Sequence, residues 1–218
     1  MTVKWDGMTK LGLSDSEVEL RHHLANAAKA YDWKKTLEIL MARPDLINMT
    51  RPDGHSLYTP LHQAAHGDAP VQVVKKMILM GGWRTLRNAD GETAADIARR
   101  KSHQRLIKLL DPAYKIYVPQ ETLASIQKHF HAIIRNRASD VIEQFSLRLP
   151  ELEPLIEIEK PQMWFTVPGM YGGFHYWLDG EGENVKLISE SWCRVVGGSG
   201  QRHEITSREG KLTDEGFV

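Results

Sequence analysis

The chain has 218 residues, room for one large domain or two modest ones, and its 41% hydrophobic and 26% charged content is ordinary for a globular protein. No apolar run approaches a membrane span and the opening Met1-Thr2-Val3-Lys4-Trp5-Asp6 has no signal-peptide core, so a cytoplasmic protein without a membrane partner is expected. Cys193 is the only cysteine, which excludes an intrachain disulfide and thiolate-rich zinc sites. The net charge of zero hides an asymmetry: residues 1–110 carry 17 Lys/Arg against 12 Asp/Glu, net +5, and residues 111–218 carry 11 against 16, net −5. Either the two halves attract one another or the basic half meets an acidic partner.

Residues 1–19 read as a polar N-terminal arm, with a helix starting near Ser14 or Ser16. From there to residue 111 the apolar spacing is helical. Leu24-Ala25-Asn26-Ala27-Ala28 and Asp32-Trp33 through Leu40 resemble the first and second helices of an ankyrin repeat, a resemblance that implies a core position for Trp33; Arg43-Pro44 then leaves the helix. Thr59 caps a further helix with Pro60 in its first turn, and Ala64 and Ala65 allow close helix approach. Val73-Val74 and Met77-Ile78-Leu79 face the core from the next, which Gly81-Gly82 ends. Thr93-Ala94-Ala95-Asp96-Ile97-Ala98 and Leu106 to Leu110 repeat the pair once more.

Two strings stand out in this half. Thr59-Pro60-Leu61-His62-Gln63-Ala64-Ala65 resembles the opening of an ankyrin repeat, and Asn88-Ala89-Asp90-Gly91-Glu92-Thr93 resembles the turn joining two such repeats. Thr59 and Thr93 stand 34 positions apart, close to the ankyrin period of about 33. The resemblance implies about three ankyrin repeats over residues 20–111, degraded at His22-His23 in the first and lengthened at Pro52 to Tyr58.

Residues 112–218 are expected to form a second, α+β domain that caps the last repeat. Thr122–Arg137 places Leu123, Ile126, Phe130, Ile133 and Ile134 on one helical face, and Asp140 opens a second helix through Leu147. After Pro161, Met163–Val167, Phe174–Leu178, Val185–Val196, Gln201–Thr206 and Leu212–Val218 are strand-like and separated by glycine turns, which predicts an antiparallel meander of four to five strands. A nuclear-transport-factor-like cone has this element order. Gly169-Met170-Tyr171-Gly172-Gly173-Phe174 and the run from Gly197 to Glu204 are similar to segments of uncharacterised bacterial ankyrin proteins, a resemblance that implies no activity.

No set of residues reads as a catalytic centre, and no cofactor is expected. His62 and His66 share a helix face as metal ligands do, but Gln63 stands where a metalloprotease needs glutamate, and His62 has a structural post in the ankyrin turn. Gly197–Gly200 lacks the following helix that a phosphate cradle needs, so it reads as a hairpin loop. With Gly198-Ser199 at its centre, Arg194 faces His203 and shares a face with Glu190, with His175 a fourth member. That set is either a ligand pocket, the basis of an enzyme or small-ligand reading, or a surface salt-bridge ladder. Cys193 falls on the other face as a small packed side chain.

Ankyrin proteins bind other proteins through their turn tips and concave inner-helix face. Carried onto this chain, the implied partner-binding residues are Arg51, His55 and Tyr58 in one turn and Trp83, Arg84 and Arg87 in the next, residue types that dominate interface energetics. Packing inside the protein is the competing role for Trp83. The expected function is therefore protein–protein interaction, one concrete form being an inhibitor or immunity-type protein that occludes an acidic-surfaced partner. Nucleic acid is not the expected partner, since no helix-turn-helix pattern is present and the second half is acidic.

Overall fold

The computed structural model describes residues 3–194 and 198–216. The chain divides into two compact units, Leu13–Ala113 and a second made of Met1–Gly12 with Tyr114–Val218. Among the described residues, no helix is long and apolar enough to cross a membrane.

The first unit contains α1 (Asp15–Lys29), α2 (Trp33–Ala42), α3 (Pro60–His66), α4 (Val71–Leu79), α5 (Ala94–Arg100) and α6 (Gln104–Leu110). Side-chain caps start four of the six helices. Ser14 and Asp32 side chains accept the amides of Glu17 and Lys35, while Thr59 and Thr93 form capping boxes with His62 and Asp96. The helices pair as α1–α2, α3–α4 and α5–α6, and the three pairs share one turn. A left-handed residue, Tyr31, Asp68 or Ser102, ends the first helix of each pair. The next amide then reaches back five positions, from Asp32 to Ala27, Ala69 to Ala64 and His103 to Ala98, at 3.0, 3.0 and 2.8 Å. Helices α1, α3 and α5 neighbour one another, as do α2, α4 and α6. Buried alanines 64, 65, 94, 95 and 98 let the first row pack closely, and Leu40, Val74, Met77, Leu106 and Leu110 fill the space between rows.

Successive pairs are also stitched by polar groups. The Asn48 side chain donates to Gly81 O at 2.8 Å and accepts the Trp83 amide at 2.8 Å, and the Ala89 amide donates to Ser56 O at 3.0 Å. Arg43, just past α2, grips Glu17 of α1 (Nη1 to Oε1, 2.7 Å) and Asp45 (Nη2 to Oδ2, 2.7 Å). Hydrogen bonds from Arg43 hold both carboxyls below their ordinary values of 4.5 and 3.8. Groups depressed in the folded state stabilise it above their unfolded pKa and lose that contribution as pH falls through the folded value. The native protein is therefore expected to lose urea stability more steeply than Arg43→Gln as pH is lowered from 5 to 3, by urea titrations at each pH; parallel curves would refute this.

The second unit is a six-stranded sheet with helix α7 (Gln120–Phe145) on one face. Its strands are β1 (Lys4–Trp5), β2 (Gln162–Val167), β3 (Gly172–Asp179), β4 (Lys186–Cys193), β5 (Ser199–Ile205) and β6 (Gly210–Glu215), in that spatial order. From β2 to β6 each pairing is antiparallel between consecutive strands, so this stretch is a meander. Strand β1 joins parallel to β2, with Trp5 opposite Phe165. The arm expected over residues 1–19 is thus divided: its first part is an edge strand anchored by Trp5 Nε1 donating to Arg148 O at 2.9 Å, and its last part opens α1. The break expected between two helices over 122–147 falls at Ala138, whose backbone is non-helical (φ −147°, ψ 30°), so α7 is two helical segments joined by a kink. Alternation along the strands sends Met163, Phe165, Val167, Phe174, Tyr176, Leu178, Leu187 and Ile205 inward, where Phe130 of α7 meets Phe174 and Tyr176. Two of the strand expectations and one expected turn ran into residues outside the described ones: Val195 and Val196, Phe217 with Val218, and Gly197 of the glycine run.

Candidate partner-binding site

In the helical unit, α1 and α3 together with the loop before α3 enclose a shallow cleft of about 240 Å³ whose walls include Ala25, Asn26, Lys29, Arg51, Tyr58 and Gln63. Small side chains on α1 leave the space, and the long loop supplies the polar rim. Arg51 is oriented from two sides, with Nη1 donating to Asn26 Oδ1 at 2.7 Å and Nε 3.3 Å from Asp53 Oδ1. His22 Nε2 meets the same Asp53 oxygen at 2.9 Å. Burial opposes the ionised Asp53 carboxylate, but the bond and charge of His22 outweigh it and keep the carboxyl below its ordinary value.

Tyr58 lies against His62 and His66, at ring separations of 5.6 and 6.2 Å. The two histidines do not converge on a common point. His62 is buried within the α3 cap, with Nε2 3.1 Å from Leu86 O, and His66 Nδ1 meets Tyr31 Oη at 2.7 Å. Burial, followed by the charges of Lys101 and Arg100, pushes the His66 pKa down.

Of the six residues expected to meet a partner, Arg51 and Tyr58 share the cleft and His55 is exposed in the loop beside them. Trp83 is only 7% exposed, as its competing role of packing inside the protein requires. Arg84 and Arg87 are half-buried, and Arg87 Nη1 donates to Gly91 O at 2.9 Å, which braces its own turn. Lys29 and Gln63 were not among the expected partner residues, because nothing local says that α1 and α3 face one cleft.

In the sheet unit the four pocket candidates separate. Glu190 stands opposite Arg202, not on a face with His203, and accepts from Arg202 Nη1 at 3.2 Å. His175 is opposite Glu190 on that outer face and packs on Trp177 at 5.0 Å. Burial pushes the His175 pKa down, with Glu190 opposing. His203 stands opposite Ser189 on the α7 side, where burial and then the Arg137 charge push its pKa down. Arg194 is exposed. The expected register fails because Cys193 pairs with Ser199 and not with Glu204, a slip of five positions. The shift is odd, so His203 moves to the opposite face. The same hairpin shows a contact absent from the sequence reading: Arg137 of α7 donates to Ser191 Oγ at 3.0 Å and to Ser199 O at 2.8 Å.

No family model matches the chain. Among solved structures, the chain is similar to a chain of the complex of Bd0816, a predatory endopeptidase from Bdellovibrio bacteriovorus, with immunity protein Bd3460. Identity is 21%, the TM-score is 0.36, and the match covers 55% of this chain and 66% of that one, just under two thirds of its length.

Proposed function

We propose that the protein is an interaction module in which the helical unit acts as an ankyrin-type stack and binds a partner protein in the cleft between α1, α3 and the loop before α3. The observation that carries this reading is the cleft itself, an open recess in a row of closely packed first helices, rimmed by Lys29 and Arg51 and floored by small side chains. The shared turn geometry of the three helix pairs and the capping boxes at Thr59 and Thr93 support the ankyrin assignment. The net +5 of residues 1–110 favours a partner with an acidic surface, and an inhibitor that occludes such a surface is the concrete form of the proposal.

The test is affinity capture with the whole chain, comparing native protein with the double variant Lys29→Glu plus Arg51→Glu. A specific protein should be retained by the native chain and reduced about ten-fold or more by the double reversal. Lys108→Glu, a reversal on α6 away from the cleft, should leave it unchanged. Retention indifferent to the double reversal would remove the cleft from the reading.

A further inference from the structure

The second unit carries an aromatic site that neither the partner cleft nor the sheet core uses. On the outer face, Trp164, Tyr171, Gly172, Trp192 and Arg194 line a cleft of about 320 Å³ whose wall is almost entirely apolar. Its construction follows from the register. Gly173 pairs with both Thr166 and Trp192, so the strand between Trp164 and Trp192 bears no side chain there. The two indoles therefore meet across it, with centroids 5.7 Å apart and planes inclined by 30°. Trp164 is held further by its Nε1, which donates to Thr166 Oγ1 at 2.9 Å. Gly172 forms the floor, and a Cβ there would fall 2.0 Å from Trp192 O.

Tyr171 completes the wall in an unusual way. Its backbone is left-handed, φ 50°, in a turn position where glycine or asparagine would be unstrained, and its side chain is 78% exposed. Neither backbone preference nor burial accounts for a tyrosine at that place, and strain of this kind points to a function. Arg194 stands at the rim, exposed, with no ion pair among the described residues. Its backbone amide donates to Met170 O at 2.9 Å, which ties the guanidinium-bearing residue to the turn that presents Tyr171.

We infer that this cleft binds a proline-rich, extended peptide segment carrying an acidic residue. Proline rings are rigid, apolar and flat enough to lie against indole and phenol faces, and a polyproline II backbone has no internal hydrogen bonds, so its carbonyls are open to a guanidinium. The acidic residue supplies the counter-charge that Arg194 does not find among the described residues. Other ligand chemistries fit less well. A sugar needs several polar side chains for its hydroxyls, and beyond Arg194 the wall offers little more than the Tyr171 hydroxyl and an indole N–H. Nucleic acid would meet Glu190 and Glu204 on the same face and the net −5 of residues 111–218. The site stands independently of the helical-unit reading, since it uses none of those residues.

The experiment is a fluorescence-anisotropy titration of the whole chain against a labelled peptide of prolines with one central glutamate. Two control peptides replace the prolines by glycine and serine, or the glutamate by lysine. The acidic proline peptide should saturate, with both controls weaker by about ten-fold or more. Tyr171→Gly relieves the left-handed strain, so it keeps the fold while removing the ring, and should weaken binding about ten-fold. Arg194→Glu should reverse the preference between the glutamate and lysine peptides. The inference is overturned if no proline peptide saturates, if the glycine–serine peptide binds as well, or if the Tyr171→Gly chain, checked as folded by circular dichroism, binds like the native one.

Discussion

Replacing His62 with alanine is expected to cost the protein about 3 kcal/mol of unfolding free energy, because it strands two buried backbone groups at once. His62 is fully buried. Its Nδ1 accepts the Thr59 amide at 3.2 Å and lies 2.8 Å from Thr59 Oγ1, which leaves Nε2 as the protonated nitrogen that donates to Leu86 O at 3.1 Å. One side chain thus closes the cap of α3 and ties it to the turn before the next helix pair. Alanine leaves the Thr59 amide and the Leu86 carbonyl without that partner, at about 1–3 kcal/mol each before relaxation or water entry, and adds a cavity. Asparagine, which reaches the cap but not Leu86, should recover about half. Urea unfolding followed by far-UV circular dichroism measures both; a midpoint unchanged by alanine would mean that the bridge stabilises nothing.

The second large effect belongs to the sheet. Gly173→Ala is expected to destabilise the second unit by about 4 kcal/mol, the sum of backbone strain and steric overlap. Gly173 has φ +152°, and a Cβ built there would lie 2.1 Å from Phe165 O on the neighbouring strand. Since Thr166 pairs with Gly173 and Phe165 with Phe174, the overlap can be relieved only by parting β2 from β3 beside the core. Gly182→Ala separates the two terms. Its φ of +67° is also unfavourable, but nothing lies within 4 Å of the added carbon, so its cost should be about 1 kcal/mol. Thermal melts of the two variants decide the matter: similar losses would show that the sheet absorbs the extra carbon freely and that close strand approach is not why glycine stands at 173.

The unexpected parts of the molecule have a common origin. The helical elements were legible because their signals are local: a capping residue, an apolar stripe and a proline or left-handed turn lie within a few positions, as at Ser14, Asp32 and Thr59. The strands of the meander were legible from alternation and glycine turns for the same reason. The kink in α7 was legible for the same reason, since Asp140 has the character of a helix start two positions after the non-helical Ala138.

The partner residues show the limit more sharply. Arg51 and Tyr58 could be named from the turn they occupy, but the burial of Trp83 and the bracing of Arg87 against Gly91 O depend on which atoms surround them. Composition, spacing and caps determined by themselves most of the helices, the five strands of the meander, and the opposed net charges of the two halves. Only the tertiary structure decided that Lys4–Trp5 joins the sheet, that Cys193 pairs with Ser199 in the β4–β5 register, and that Trp164, Tyr171 and Trp192 share one cleft. The reason is physical: propensity and periodicity act over a turn or two of chain, whereas register and burial are settled by atoms that come from distant positions, and a slip of one residue turns every side chain of a strand to the other face.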